Sequence, residues 1–384
     1  MKIVSKQPNV GTTIFTVMSK LATDTGALNL SQGFPSFSPS SQLLDLVNKH
    51  LKLGHNQYAP MAGIQPLREA IAQKTFDLYG VDYNIDTEIT VTSGATEALY
   101  AALTAIVETG DEVIVFEPAY DSYVPAITLN GGKAVYVTLS PDNDYAIDWA
   151  VVKTKITDRT KAIMLNTPHN PTGKCLTISD LNALAELLKD INVFVIADEV
   201  YEHILFDGRQ HCSIMQHPVL QERAFVCGSF GKTFHITGWK IGYCLAPVAL
   251  SAEFRKVHQW ITFSVPTPLQ FALADFLKQP EHYLSLPKFY EQKRDKFLTY
   301  LSQSNFEFKP AEGSFFQCVS YKNISDEYDF DLAQRWTKEI GVASIPVSAF
   351  YHQKNDHKIL RFCFAKDDEI LEKAGERLCK LAIR

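Results

Sequence analysis

Short apolar runs rich in β-branched residues alternate with stretches of helical periodicity from about residue 62 to residue 200. The runs are EITVT (88–92), DEVIVFEP (111–118), KAVYVTL (133–139), KAIMLN (161–166) and VFVIADE (193–199). Helical patterns such as ATEALYAALTAIV and ISDLNALAELLKD lie between them. Strands that are apolar throughout and separated by helices predict a mostly parallel sheet covered on both faces. AFVCGS (224–229) and IGYCLA (241–246) extend that sheet. The pattern then turns helical through SAEFRKVHQW and YEQKRDKFLTYLSQ, and afterwards mixes strands (SFFQCVS, KILRFCF) with helices (DFDLAQRWTKEI, DDEILEKAGERLCKLA). The change predicts an α/β chain in two parts: a large domain over 46–281, and a smaller α+β domain made by 282–384 together with 1–45. No repeat and no linker rich in Gly, Ser or Pro marks the boundary.

Composition narrows the function. A chain of 384 residues, 46 % hydrophobic, can fill two cores. Its net charge of -6 offers no excess of cations to neutralise a polynucleotide, so nucleic acid is not an expected partner. The N-terminal MKIVSKQPNVGTT has no apolar leader pattern, and no run approaches the roughly 18 apolar residues of a membrane span. A cytoplasmic protein without membrane contact is expected. The cysteines Cys175, Cys212, Cys227, Cys244, Cys318, Cys363 and Cys379 are scattered and odd in number, which fits buried free thiols. No H-E-x-x-H or C-x-x-C spacing suggests a metal.

One lysine stands out. Ser229-Phe230-Gly231-Lys232-Thr233 follows an apolar strand and precedes Gly238-Trp239-Lys240-Ile241-Gly242. A phosphate-wrapping P-loop would need a glycine where this chain has Val226, so the nucleotide reading fails. A lysine at a strand end among small residues is suited to partial desolvation, which lowers its pKa toward a carbonyl-attacking amine.

The stretch SFGKTFHITGWKIGY resembles the cofactor-lysine signature of fold-type-I, class I and II aminotransferases. LSQGFPSF, NQYAPMAG, FEPAYDSY, NTPHNPTG and IADEVY follow that family's order along nearly the whole chain. Within the family the motifs are most similar to methionine aminotransferases and kynurenine–glutamine aminotransferases. The resemblance implies an aspartate-aminotransferase-like fold and pyridoxal 5′-phosphate (PLP) as cofactor. It also implies amino-acid and 2-oxo-acid substrates in a ping-pong cycle, and a homodimer with shared active sites.

The roles implied fall on particular residues. Lys232 would carry the cofactor and move the substrate proton. Asp198, ending the run VFVIA where ligands gather at the C-terminal ends of parallel strands, would keep the cofactor's ring nitrogen protonated; a helix cap is its plain alternative. Tyr201 and Asn170 resemble the pair that bonds the phenolic oxygen, although Asn-Pro-x-Gly is also an ordinary turn signature. Asn166 is a weaker candidate for the same neighbourhood. Ser93-Gly94-Ala95-Thr96 links a strand to a helix whose N-terminal N–H groups suit an anion, so Gly94, Ala95 and Thr96 would cradle the phosphate. Ser229 would add a hydroxyl and Lys240 a point charge, where the commoner family pattern has arginine. Tyr58 resembles the tyrosine that reaches the phosphate from a neighbouring subunit, and is equally well a core aromatic. Tyr120 matches the ring stacked on the cofactor, with ordinary packing as its alternative. Arg361 interrupts the apolar run KILRFCF with a charge that must find a partner if buried. In the family it grips the substrate α-carboxylate, beside Gly33.

No second arginine stands out for a side-chain carboxylate, and Phe15, Phe34, Trp260 and Phe263 are aromatic candidates for the substrate pocket. A neutral donor, methionine or an aromatic amino acid, is therefore expected over aspartate. Two alternatives stay open at this level: a PLP-dependent cysteine-S-conjugate β-lyase and a non-catalytic protein on the same fold.

Overall fold

The computed structural model describes residues 3–381 apart from residue 9. Seven strands form its principal sheet: β1 (Ile89–Thr92), β2 (Glu112–Glu117), β3 (Lys133–Thr138), β4 (Thr160–Asn166), β5 (Phe194–Asp198), β6 (Ala224–Ser229) and β7 (Gly242–Leu245). Their spatial order is β1-β7-β6-β5-β4-β2-β3. β7 runs antiparallel to both neighbours, and every other pair is parallel. Apolar content gives β7 no direction, but its connection does. Between β6 and β7 the helix Phe230–Thr233 is a single turn of 4 residues, about 6 Å long, which cannot return the chain to the far end of the sheet.

Alternation along the strands fills both faces. Ile114 and Phe116 of β2 pack into one buried cluster, Val113 and Val115 into another; β4 divides Ile163 and Leu165 from Ala162 and Met164 in the same way. Strands buried on both sides lose the polar alternation of a half-exposed sheet, which is why they read as continuous apolar runs. The helix Gly94–Ile106 lays its alanine-rich face, Ala98, Ala101 and Ala102, into the second cluster.

The second sheet is small and antiparallel, with β8 (Phe316–Ser320), β9 (Ile345–Pro346) and β10 (Ile359–Cys363) in the order β9-β10-β8. Leu28–Asn29 pairs in parallel with Val342–Ala343, which fastens the N-terminal segment beside the C-terminal part of the chain. All seven cysteines are free; Cys175, Cys227, Cys244 and Cys363 are buried. The expectation of burial fails for Cys212, Cys318 and Cys379, which remain partly exposed. Among the described residues no helix is long and apolar enough to cross a membrane.

Candidate active site

β4, β5 and β6 end side by side in Asn166, Asp198 and Ser229, and a cavity of about 190 Å³ opens at this edge. Asp198 is buried within it. The Tyr123 hydroxyl donates to one of its carboxylate oxygens at 2.6 Å and the Val200 N–H to the other at 3.3 Å. Asn166 donates from Nδ2 to the Asp198 carbonyl at 2.8 Å and accepts from the Asn170 N–H at 2.7 Å. Asn170 in turn accepts from Arg361 Nη1 at 2.7 Å. One chain of bonds thus runs from the principal sheet to the small one.

Lys232 projects from the one-turn helix after β6, and its Nζ donates to the Gly33 carbonyl at 3.1 Å. The rings of Tyr201 and Phe315 flank that amine at 5.7 Å and 5.5 Å. Burial pushes the Lys232 pKa down to about 8, against the pull of Cys363 and Asp198. Burial pushes Asp198 up to about 6, and the bond from Tyr123 opposes the rise.

Arg361 sits in the middle of β10, opposite Cys318 and Ile345, with none of its surface exposed. Its Nη2 donates to the Ser31 carbonyl at 2.9 Å, and Phe316 stacks 3.8 Å from the guanidinium. Among the described residues no carboxylate lies within ion-pair distance of it; Asp121 favours its charge only from further off, and its Nε has no hydrogen-bond partner. Desolvation lowers its pKa. A buried cation without a counter-ion is costly, so this geometry suits a site that receives an anion.

A second cationic corner borders the same cavity. Gly94 begins the helix after β1 at φ 72°, a conformation that favours glycine, and a Cβ there would meet Lys240 Nζ at 3.3 Å. Gly242 lets β7 pass close by, since a Cβ on it would lie 2.9 Å from the Ala95 nitrogen. Backbone N–H groups, an ammonium and the Ser229 hydroxyl therefore share one corner of the cavity.

The family model for aminotransferase class I and II matches residues 25–378. The chain belongs to that family. This aminotransferase is 52 % identical over 378 residues to the methionine aminotransferase of Escherichia coli, covering 98 % of each chain. It is 37 % identical to the kynurenine–oxoglutarate transaminase of Dictyostelium discoideum, covering 98 % of this chain and 96 % of that one. Its fold superposes with TM-score 0.97 on Escherichia coli YbdL, for which a methionine aminotransferase function was identified, at 51 % identity and 99 % and 100 % coverage. Like its family, it depends on PLP and works on an amino acid and a 2-oxo acid. The residues present fit that cofactor: an anion corner, a buried amine of lowered pKa and a buried carboxylate border one cavity.

Of the residues expected from sequence, Phe15, Gly33, Gly94, Ala95, Thr96, Tyr120, Asn166, Asn170, Asp198, Tyr201, Ser229, Lys232, Lys240 and Arg361 line this cavity. Tyr58 does not. It is 85 % exposed, edge-on to Phe263 at 5.4 Å, which rules out the core alternative. Phe34, Trp260 and Phe263 also lie outside the wall, at 45 %, 84 % and 44 % exposure. Sequence reasoning passed over Tyr123, Gln32 and Phe316. Tyr123 was findable, because it stands three residues after Tyr120 in the same motif, within reach of the same strand end.

Proposed function

We propose that this aminotransferase takes methionine or an aromatic amino acid as donor, with Arg361 as the clamp for the α-carboxylate. The observation that carries the reading is Arg361 itself: fully buried, without a carboxylate in ion-pair range and with an unsatisfied Nε, at the wall of a cavity that Phe15, Tyr120 and Phe316 also line. Arg361 is the only arginine among the described lining residues, so an acidic side chain finds no second fork there.

PLP, when bound, supplies an electron sink that stabilises negative charge at the substrate Cα. Ser229, Lys240 and the N–H groups of Gly94–Thr96 would hold its phosphate, Tyr120 its ring face, and Tyr201 and Asn170 its phenolic oxygen. Asp198 would hold a proton on the ring nitrogen, its charge kept in place by Tyr123. Arg361 orients the donor so that its Cα–H faces Lys232. The Lys232 amine takes that proton and returns it, and a pKa near 8 suits both steps close to neutral pH. The aromatic wall excludes water and receives a thioether or ring.

The domain division at 46–281 against 1–45 with 282–384 belongs to the same proposal, supported by the pairing of Leu28–Asn29 with Val342–Ala343. So does a homodimer with shared sites: Tyr58 and Trp260 are large, exposed aromatics, at 85 % and 84 %, that a second subunit would cover. Free thiols throughout support a cytoplasmic location.

Single amino acids added to the holoenzyme test the donor. The yellow colour should fade fastest with methionine and aromatic amino acids, and a 2-oxo acid should restore it. Faster bleaching by aspartate, or pyruvate and ammonia released from a cysteine S-conjugate without any oxo acid, would overturn the reading.

A further inference from the structure

The anion corner is held from behind by a buried acid–base pair that the mechanism above leaves unused. Glu97 lies in the first turns of the helix Gly94–Ile106, and His258 in the helix Val248–Ile261. Their side chains are 8 % and 0 % exposed. Glu97 Oε2 accepts from the Ser93 N–H at 3.0 Å, and its Oε1 faces His258 Nδ1 at 2.8 Å. The other ring nitrogen, Nε2, faces the Met61 carbonyl at 3.0 Å. Phe254 stacks against the imidazole with ring centroids 6.2 Å apart. The phosphate turn, a neighbouring helix and the NQYAPMAG loop that carries Tyr58 therefore meet at one imidazole.

Both ring nitrogens face acceptors, and that fixes the protons. A backbone carbonyl can only accept, and so can an ionised carboxylate. Either the ring holds both protons against an ionised Glu97, or Glu97 keeps a proton and donates it to Nδ1 while Nε2–H goes to Met61. The two arrangements contain the same protons, and both are neutral overall. That neutrality matters because a lone carboxylate beside a helix N-terminus would compete with any anion bound there.

We propose that Glu97 and His258 form a charge-neutral positioning pair for the phosphate site at Ser93–Thr96. Glu97 fixes the turn through the Ser93 N–H; His258 cancels its charge and ties the turn to the Tyr58 loop. The assignment rests on reading that turn as the phosphate site.

Titration of the apo-protein with inorganic phosphate and with PLP, followed by calorimetry, separates the two claims. Phosphate that fails to compete with PLP in the unmutated protein sinks the phosphate site itself, whatever the pair does. Given competition, His258→Ala strands a bare carboxylate and should weaken both ligands about ten- to hundredfold, the scale seen when an outer partner that orients a ligand is lost. Adding Glu97→Gln to His258→Ala removes the charge and should recover most of that loss. Glu97→Gln alone can keep all three bonds, its amide oxygen on Ser93 and its amide N–H on a neutral His258, so its affinities should stay within about threefold. A double variant no tighter than His258→Ala, or wild-type affinity in His258→Ala, overturns the proposal. If His258→Ala does not fold, proton NMR decides. A downfield proton shared between His258 Nδ1 and Glu97 should vanish in Glu97→Gln, and its persistence overturns the proposal equally.

Discussion

Two buried cations flank the segment 198–203, and they are treated in opposite ways. Lys74, 3 % exposed, donates to Glu202 at 2.6 Å and to the Tyr243 hydroxyl at 2.7 Å, while the Tyr79 hydroxyl donates to the other Glu202 oxygen at 2.7 Å. Glu202 is held well below the usual carboxylate range, desolvation being outweighed by Lys74 and His203. Beside it, His203 is pushed down to about 3 by burial. Arg361, no less buried, has carbonyl and amide oxygens for company and an idle Nε. A buried charge with its own counter-ion holds structure; one left without it fits the carboxylate-clamp role proposed for Arg361.

The largest effect should come from the amine that shares the cavity with Arg361. Lys232→Ala removes the proposed proton carrier, and sustained turnover should fall by at least the 10²–10⁴ that a positioned acid–base group contributes. Undiminished steady-state turnover would remove Lys232 from the mechanism. The same substitution at each cation then tests the contrast directly. Lys74→Met leaves Glu202 buried without its counter-ion, so urea unfolding of the apo-protein should show a loss of about 3–5 kcal/mol. Arg361→Met deletes a charge with no direct counter-ion and lets methionine pack against Phe316, Phe15 and Phe350, but it leaves the Ser31 carbonyl and Asn170 Oδ1 without their donor, so the loss should be about 1–3 kcal/mol, smaller than for Lys74→Met. Its kcat/KM should fall about 10²–10³-fold, the size of a lost buried charge contact. Equal destabilisation by the two changes would erase the distinction.

Much of this was legible in the chain, for identifiable reasons. The strands of the principal sheet are continuous apolar runs because both faces are covered, and the polar residues that end them, Asn166, Asp198 and Ser229, are the ones that reach the cavity. Arg361 announced itself as a charge inside KILRFCF. What stayed hidden depends on contacts distant along the chain. Nothing local in Lys74, Glu202 or Tyr243 says that they meet, and Glu97 and His258 lie 161 positions apart. The direction of β7 follows from its connection, which hydrophobicity does not encode. Trp260 and Phe263 read as pocket aromatics, and Tyr58 equally well as a core one, because an exposed aromatic carries no mark in the sequence that separates it from a buried one.

A smaller effect is expected at the hydroxyl behind Asp198. Tyr123→Phe removes the bond that counters the burial of this carboxylate and leaves its shape and packing intact. A hydrogen bond to a charged group contributes about 1.5–3 kcal/mol, so PLP affinity should drop about ten- to hundredfold. Asp198 should titrate at higher pH in the apo-protein, as carbon-13 NMR of its carboxyl would report. Unchanged affinity would assign Tyr123 to packing alone.

The smallest shift is the most discriminating between the two cations. With Lys232 as the proposed cofactor lysine, uptake of PLP by the apo-protein uses its neutral amine, so the rate should climb with pH and level off above about 8, where a solvated lysine would go on rising toward 10.5. Between about 8 and 10.5 the unfolded chain binds the Lys232 proton and the folded chain does not, so this group makes apo-protein stability rise with pH across that window. Arg361 is one of the charges that hold Lys232 down. Arg361→Met should therefore move the uptake midpoint upward, whereas Lys74→Met should leave it in place, since Lys74 is neutralised by Glu202 and is not among those charges. Equal movement in both variants would mean that Lys74 is felt in the cavity despite its partner, and the division into a satisfied and a waiting cation would fall.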